Sequence, residues 1–65
     1  MEPPLFAFGD RVRQPITVCG IPYMLRFIVT GFRCERDRGI WIYSLVNAST
    51  GARCERIEDL LQGEG

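Results

Sequence analysis

The chain has 65 residues, 46% hydrophobic and 25% charged, with eight arginines, no lysine or histidine, and eight acids that bring the net charge to zero. So short a chain buries only about 60% of the surface it exposes when unfolded, which makes it a single small domain of marginal stability. It is too hydrophobic to read as disordered, and a pI near 6.1 speaks against a general affinity for phosphate backbones.

Residues 1–7 hold Pro3 and Pro4 and read as an extended lead-in. Phe6 and Phe8 are two residues apart, so in an extended chain they point the same way and can cover one end of a core. Gly9-Asp10 is a turn signal, and Arg11-Val12-Arg13 is a short alternating strand with Val12 inward. Gln14 to Pro22 reads as a long connection folded back over the rim, with at most a short strand from Ile16 to Cys19. Pro15 and Pro22 discourage a central strand there.

Tyr23 to Arg33 is the longest strand candidate, with a sharp bend expected at Gly31. Glu35 to Gly39 is a charged hairpin tip in which Gly39 suits a left-handed closing position. Ile40 to Val46, β-branched and aromatic, is the strongest strand in the chain. Asn47 to Gly51 is a turn, Ala52 to Ile57 a short returning strand, and Glu58 to Leu61 a single helical turn with acids at its favourable end. Gln62 to Gly65 is expected to fray. With no amphipathic helix, the chain is all-β: about five short antiparallel strands in a curled sheet, spanning residues 8–61, between the lead-in and a 62–65 tail.

Which side chains face inward depends on the hairpin tip. A two-residue loop at Asp37-Arg38 puts Trp41, Tyr43 and Leu45 on one face with Cys34, Phe32 and Thr30. A bulge at Gly39 slips the alternation by one and brings Ile40, Ile42 and Val46 to that face instead. We expect the second arrangement, with Ile28, Val29, Ile40 and Ile42 in the core and Trp41 and Tyr43 partly exposed. Thr-Gly-x-Arg-Cys-Glu-Arg occurs twice, ending at Arg36 and Arg56, too short an echo to establish a repeat.

Cys19, Cys34 and Cys54 leave one thiol over in any disulfide scheme, and the chain lacks both a Cys-x-x-Cys pair and histidine. They read as small half-buried thiols in a reducing compartment, without a metal site. No basic leader or long apolar core follows Met1, and Pro22 and Arg26 interrupt the apolar stretch from Gly20 to Phe32. Asn47-Ala48-Ser49 matches a glycosylation acceptor by chance. The expectation is a cytoplasmic protein with no membrane segment.

Phe8-Gly9-Asp10-Arg11-Val12-Arg13, a loop, a Val-Thr-Gly-Phe strand, a Trp-x-Tyr strand and a closing Glu-Asp-Leu-Leu turn together resemble a small bacterial SH3-like barrel of the KOW-like and Tudor-like layout. The resemblance covers residues 8–61. It implies that Gly9 permits the opening turn, Asp10 bonds backbone amides and Val12 plugs the barrel. The loop from Gln14 to Pro22 would match the long first loop of such barrels. The aromatic pair with which proline-peptide-binding SH3 domains line that loop is missing, so that activity is not carried over. The basic character of ribosomal KOW domains is missing too.

Catalysis would require a nucleophile with a base, a carboxylate pair in a cleft, or a metal. The pairs Glu35 with Asp37 and Glu58 with Asp59 lie in turns where solvated or capping roles are commoner, so no catalytic residue and no cofactor are expected. The leading reading is a protein-binding module, partnered by another protein or by a second copy, with Met24, Phe27, Trp41 and Tyr43 as anchor candidates. At least half of these four serve as well in a core. The alternative is a nucleic-acid surface in which Arg33, Arg36 and Arg38 meet phosphates and Trp41 stacks on a base. Glu35, Asp37 and Glu55 interleave with those arginines and favour a mixed, solvated tip.

Overall fold

The computed structural model describes residues 2–64 as one antiparallel sheet of five strands. These are β1 (Arg11–Val18), β2 (Ile21–Glu35), β3 (Ile40–Asn47), β4 (Arg53–Ile57) and β5 (Gln62–Gly63), with a single 3-10 turn at Glu58–Leu60 before β5. The spatial order is β4-β3-β2-β1-β5. The all-β class, the strand number and the closing helical turn agree with the sequence reading.

The largest departure is at the first connection. Gln14 to Pro22 is not a loop: β1 runs on to Val18, turns at Cys19-Gly20 and returns directly as β2, with Val18 opposite Ile21 and Pro15 opposite Met24. Cys19 (φ 51°) and Gly20 (φ 78°) are both left-handed, the pair of conformations that closes a two-residue hairpin. Cysteine is not a turn-forming residue, so Gly20 alone signals this hairpin locally.

The prolines fit because of their parity. The Arg11 carbonyl accepts from Glu64 N–H, and the Arg26 carbonyl accepts from Ala48 N–H, so both residues aim their backbone groups away from the β1–β2 ladder. Pro15 on β1 and Pro22 on β2 share those parities, and each therefore stands where the ladder asks for no N–H. Proline excludes a strand's central positions, not the strand itself.

The second departure is register. Glu35 pairs with Ile40 across the tip, so Trp41, Tyr43 and Leu45 share the inner face with Cys34 and Phe32, the arrangement not favoured from the sequence. The irregularity lies upstream, between Val29 and Gly31, where Thr30 is the extra residue. This bulge passes the inner face of β2 from Leu25, Phe27 and Val29 to Phe32 and Cys34. Thr30 Oγ1 donates to the Ser44 carbonyl at 3.1 Å across it. Tyr43 is accordingly fully buried, while Ile42 lies on the opposite face, beside Ile57 of β4, and is buried there outside the main core.

That core is Val12, Phe27, Val29, Tyr43, Leu45 and Leu61. Val12 fills it as expected. Gly9, at φ 89°, turns the chain into β1, and Asp10 Oδ2 accepts the Ala7 N–H at 2.8 Å. Phe6 packs against the core, but the turn swings Phe8 out to 75% exposure, so the two do not act together. Gln62 and Gly63 do not fray; they pair with Arg13 and Val12. The curl brings β4 against β1: Arg56 turns inward, donates from Nε to Gln14 Oε1 at 3.1 Å and lies 6.0 Å from the Phe27 ring centroid.

Candidate functional site

The pairing leaves one element unsupported. β5 reaches β1 only at Val12 and Arg13, and β3 reaches β2 only from Phe27 onward, so from Gln14 to Leu25 the two strands are paired only with each other. They form a projecting finger on a molecule 36 Å long and 23 by 22 Å across. From Gln14 to Leu25 no residue is charged.

Parity divides the finger's side chains. Val12 and Phe27 are core residues, so the positions that alternate with them, Gln14, Ile16, Val18, Ile21, Tyr23 and Leu25, continue the core face outward. Leu25 is still packed against the core, whereas Val18, Ile21 and Tyr23 are 49%, 54% and 52% exposed. The finger is thus a strip of core face with nothing laid over it. Thr17, Met24 and the two prolines occupy the other face.

The prolines also decide how the finger can be approached. Of the outward-facing positions, Pro15 and Pro22 have no N–H, leaving Thr17 and Met24 as donors along the two free edges. A partner strand would find its ladder interrupted on either side. Side-chain packing on the apolar face is the contact this element offers.

The four anchor candidates are scattered. Met24 is on the finger and 42% exposed, on the face opposite the apolar strip. Phe27 and Tyr43 are buried core residues, because the Thr30 bulge and the tip register turn both inward; neither presents a surface to a partner. Trp41 is half-buried at the other end of the sheet, its ring edge-on to Phe32 with centroids 5.5 Å apart and its Nε1–H donating to the Glu2 carbonyl at 2.9 Å. Val18 and Ile21 fall in the segment expected as a loop, and Tyr23 was expected only as the start of a strand, so none of the three stood among the anchor candidates.

Around Trp41 the chain folds back on itself. Glu2 and Pro3 line a groove with Ile40, Trp41, Ile57 and Glu58. Glu58 Oε2 accepts the Tyr43 hydroxyl at 2.6 Å and the Leu5 N–H at 3.2 Å, while Tyr43 Oη accepts the Phe6 N–H at 3.2 Å. Burial, and then the hydrogen bond to Glu58, push the Tyr43 phenol up to about 12.

The arginine tip is largely self-neutralised. Arg38 holds Glu35 through two bonds of 2.6 and 2.8 Å, and Arg33 meets Glu55 at 3.2 Å. The Arg38 hydrogen bond lowers the Glu35 carboxyl below its usual range, and Glu35 in turn raises Arg38. Arg36 is exposed, and Arg56 is turned into the seam with Gln14. No cysteine among the described residues forms a disulfide; Cys19 is exposed at the finger's turn, not half-buried like the other two. Among the described residues no acid, cysteine and histidine cluster could hold a metal, and no helix is long and apolar enough to cross a membrane. Comparison with known proteins returns no matching family model, no similar curated protein and no similar solved structure.

Proposed function

We propose that this protein is a non-catalytic binding module of SH3-like layout that engages a protein partner through the β1–β2 finger. The carrying observation is the uncharged strip of Ile16, Val18, Ile21 and Tyr23, which continues the core face beyond the last strand that covers it. An apolar strip so placed loses contact with water when a second surface covers it, at roughly 25 cal/mol per Å² removed. Phosphate chemistry would need free cations, whereas Arg33 and Arg38 are paired with acids and the finger carries no charge. That weighs for a protein over DNA or RNA, and a cytoplasmic setting suits three unbridged thiols.

The first partner to test is a second copy. Sedimentation of the wild type and of a Val18→Lys, Ile21→Lys variant over a range of concentrations reads this directly. Reversible association of the wild type that disappears in the folded variant supports the finger as a self-association surface. A wild type that stays monomeric directs the search to a different protein, trapped by a photo-crosslinker on Cys19 in a Cys34→Ser, Cys54→Ser background. Equal trapping with and without the two lysines overturns the finger as the contact.

A further inference from the structure

At the base of the finger, the face of β1 and β2 opposite the core gathers arginine. Arg11 and Arg13 flank the core residue Val12, and Arg26 lies directly opposite Arg13, so all three stand on the outer face. Arg11 and Arg13 are about 6.5 Å apart along the strand. The Arg26 carbonyl accepts from Ala48 N–H, so Arg13 and Arg26 form a pair whose backbone groups point away from their shared ladder. Such pairs bring side chains closest, with Cα atoms about 4.5 Å apart. Like charges set directly opposite repel.

Acids do not answer this cluster as they do at the hairpin tip, where Arg38 faces Glu35 and Arg33 faces Glu55. Glu64 is the one carboxylate in contact among the described residues, 3.3 Å from Arg26 Nη1. Three arginines against that one acid leave two positive charges on the patch. Nearby Asp10 is engaged with the Ala7 N–H. Among the described residues no group accepts a hydrogen bond from the guanidinium of Arg11 or Arg13, and Arg13 Nε is shut off from solvent without a partner. An unmet buried donor on a charged group is costly. Arg11 and Arg26 line a shallow hollow with Ile28, Ala48 and Glu64.

We propose that this hollow and the arginines around it bind a phosphate monoester. A guanidinium presents its N–H groups as a planar fork that matches phosphate oxygens. A monoester carries close to two negative charges at neutral pH, spread over three acceptor oxygens. That equals the uncompensated charge of the patch, whereas a carboxylate or a phosphodiester, with one charge each, leaves half of it. The anion competes with Glu64 for Arg26 and relieves the repulsion between Arg13 and Arg26. The site lies on the face opposite the finger's apolar strip and shares no residue with it, so either can fail without the other. The phosphate belongs to a free ester or to a phosphorylated side chain of another protein.

The test titrates the isotope-labelled full chain with methyl phosphate at constant ionic strength in chloride and follows the arginine Cζ signals. Those of Arg11, Arg13 and Arg26 should move together and saturate, while Arg36 and Arg53 stay still. Dimethyl phosphate, alike in shape but one charge poorer, should bind about tenfold more weakly. Arg13→Gln and Arg11→Gln should each weaken methyl phosphate by about tenfold with the sheet amides intact, and Glu64→Gln should tighten it. Arg11 is exposed, so its substitution carries the test if that of Arg13 disturbs the fold. A phosphoserine flanked by alanines separates the sources: tighter binding than methyl phosphate assigns the site to a phosphorylated protein, and equal or weaker binding to a free ester. Four results would overturn the proposal. The three signals could fail to saturate, or Arg36 could shift as far as Arg13. Binding could be indifferent to both arginine substitutions. Or a short DNA strand, all phosphodiester, could bind more tightly than either monoester.

Discussion

The Tyr43 hydroxyl sits where the N-terminal segment, the sheet and the 3-10 turn meet, giving its proton to Glu58 and accepting the Phe6 N–H. Tyr43→Phe keeps the buried ring but leaves that N–H without its acceptor, and chemical denaturation should register a loss of about 1–2 kcal/mol. The same hydroxyl sets a pH response. Its ordinary value of 10.0 applies to the unfolded chain, while the folded value is about 12. Between those limits the unfolded state has released the proton and the folded state has not, so stability falls as pH rises from 10 to 12. Urea midpoints across that range should show the fall in the wild type and lack this component in Tyr43→Phe. Cys19 makes a second residue-scale case. Its φ of 51° costs a cysteine more than an asparagine, so Cys19→Asn should stabilise the protein by about 1 kcal/mol in thermal melts; an unchanged or lower melting temperature would count against the strain.

At the scale of elements, the finger depends on two prolines that local rules take as strand breakers. Parity explains their tolerance. The same parity lets them remove donors from edges that would otherwise recruit strands. A Pro15→Val, Pro22→Val variant restores an N–H on each free edge. It should keep the fold and associate through backbone pairing, seen as concentration-dependent broadening of amide signals. If it associates no more than the wild type, the edges are guarded by something other than proline. Thr30 shows the opposite case, where a bend was legible at Val-Thr-Gly-Phe but its consequence was not. One extra residue there reverses which half of β2 faces in, and through the pairing it decides between Tyr43 and Ile42 for the core. Both candidate faces of β3 are apolar, so the strand's own alternation cannot choose.

For the whole molecule, a single small core carries nearly all the stabilising burial. A domain of this size draws no more than about 3–5 kcal/mol of net stability from such a core. Leu45 is 1% exposed at its centre, and Leu45→Ala costs about 2–5 kcal/mol. The variant should therefore be largely unfolded at room temperature by circular dichroism, whereas Leu60→Ala, at a position 44% exposed, should melt close to the wild type. The curl that makes the core possible rests on contacts far apart in the chain: Arg56 with Gln14 across the seam, and β5 laid against β1.

From residues alone came the class and most element positions: strands at β2, β3 and β4, turns at Gly9-Asp10 and Asn47–Gly51, the closing helical turn, and Val12 as an inward residue. Those follow from local propensity, which acts over a few residues and leaves its mark in them. The length of β1, the inward face of β3, the burial of Phe27 and Tyr43 and the exposure of Val18 and Ile21 came only with the tertiary structure. Each is settled by which strand lies alongside, and where that strand stops. So is the candidate site: an apolar residue of the finger looks the same in sequence as one in the core, and differs only in that no β5 or β3 reaches far enough to cover it.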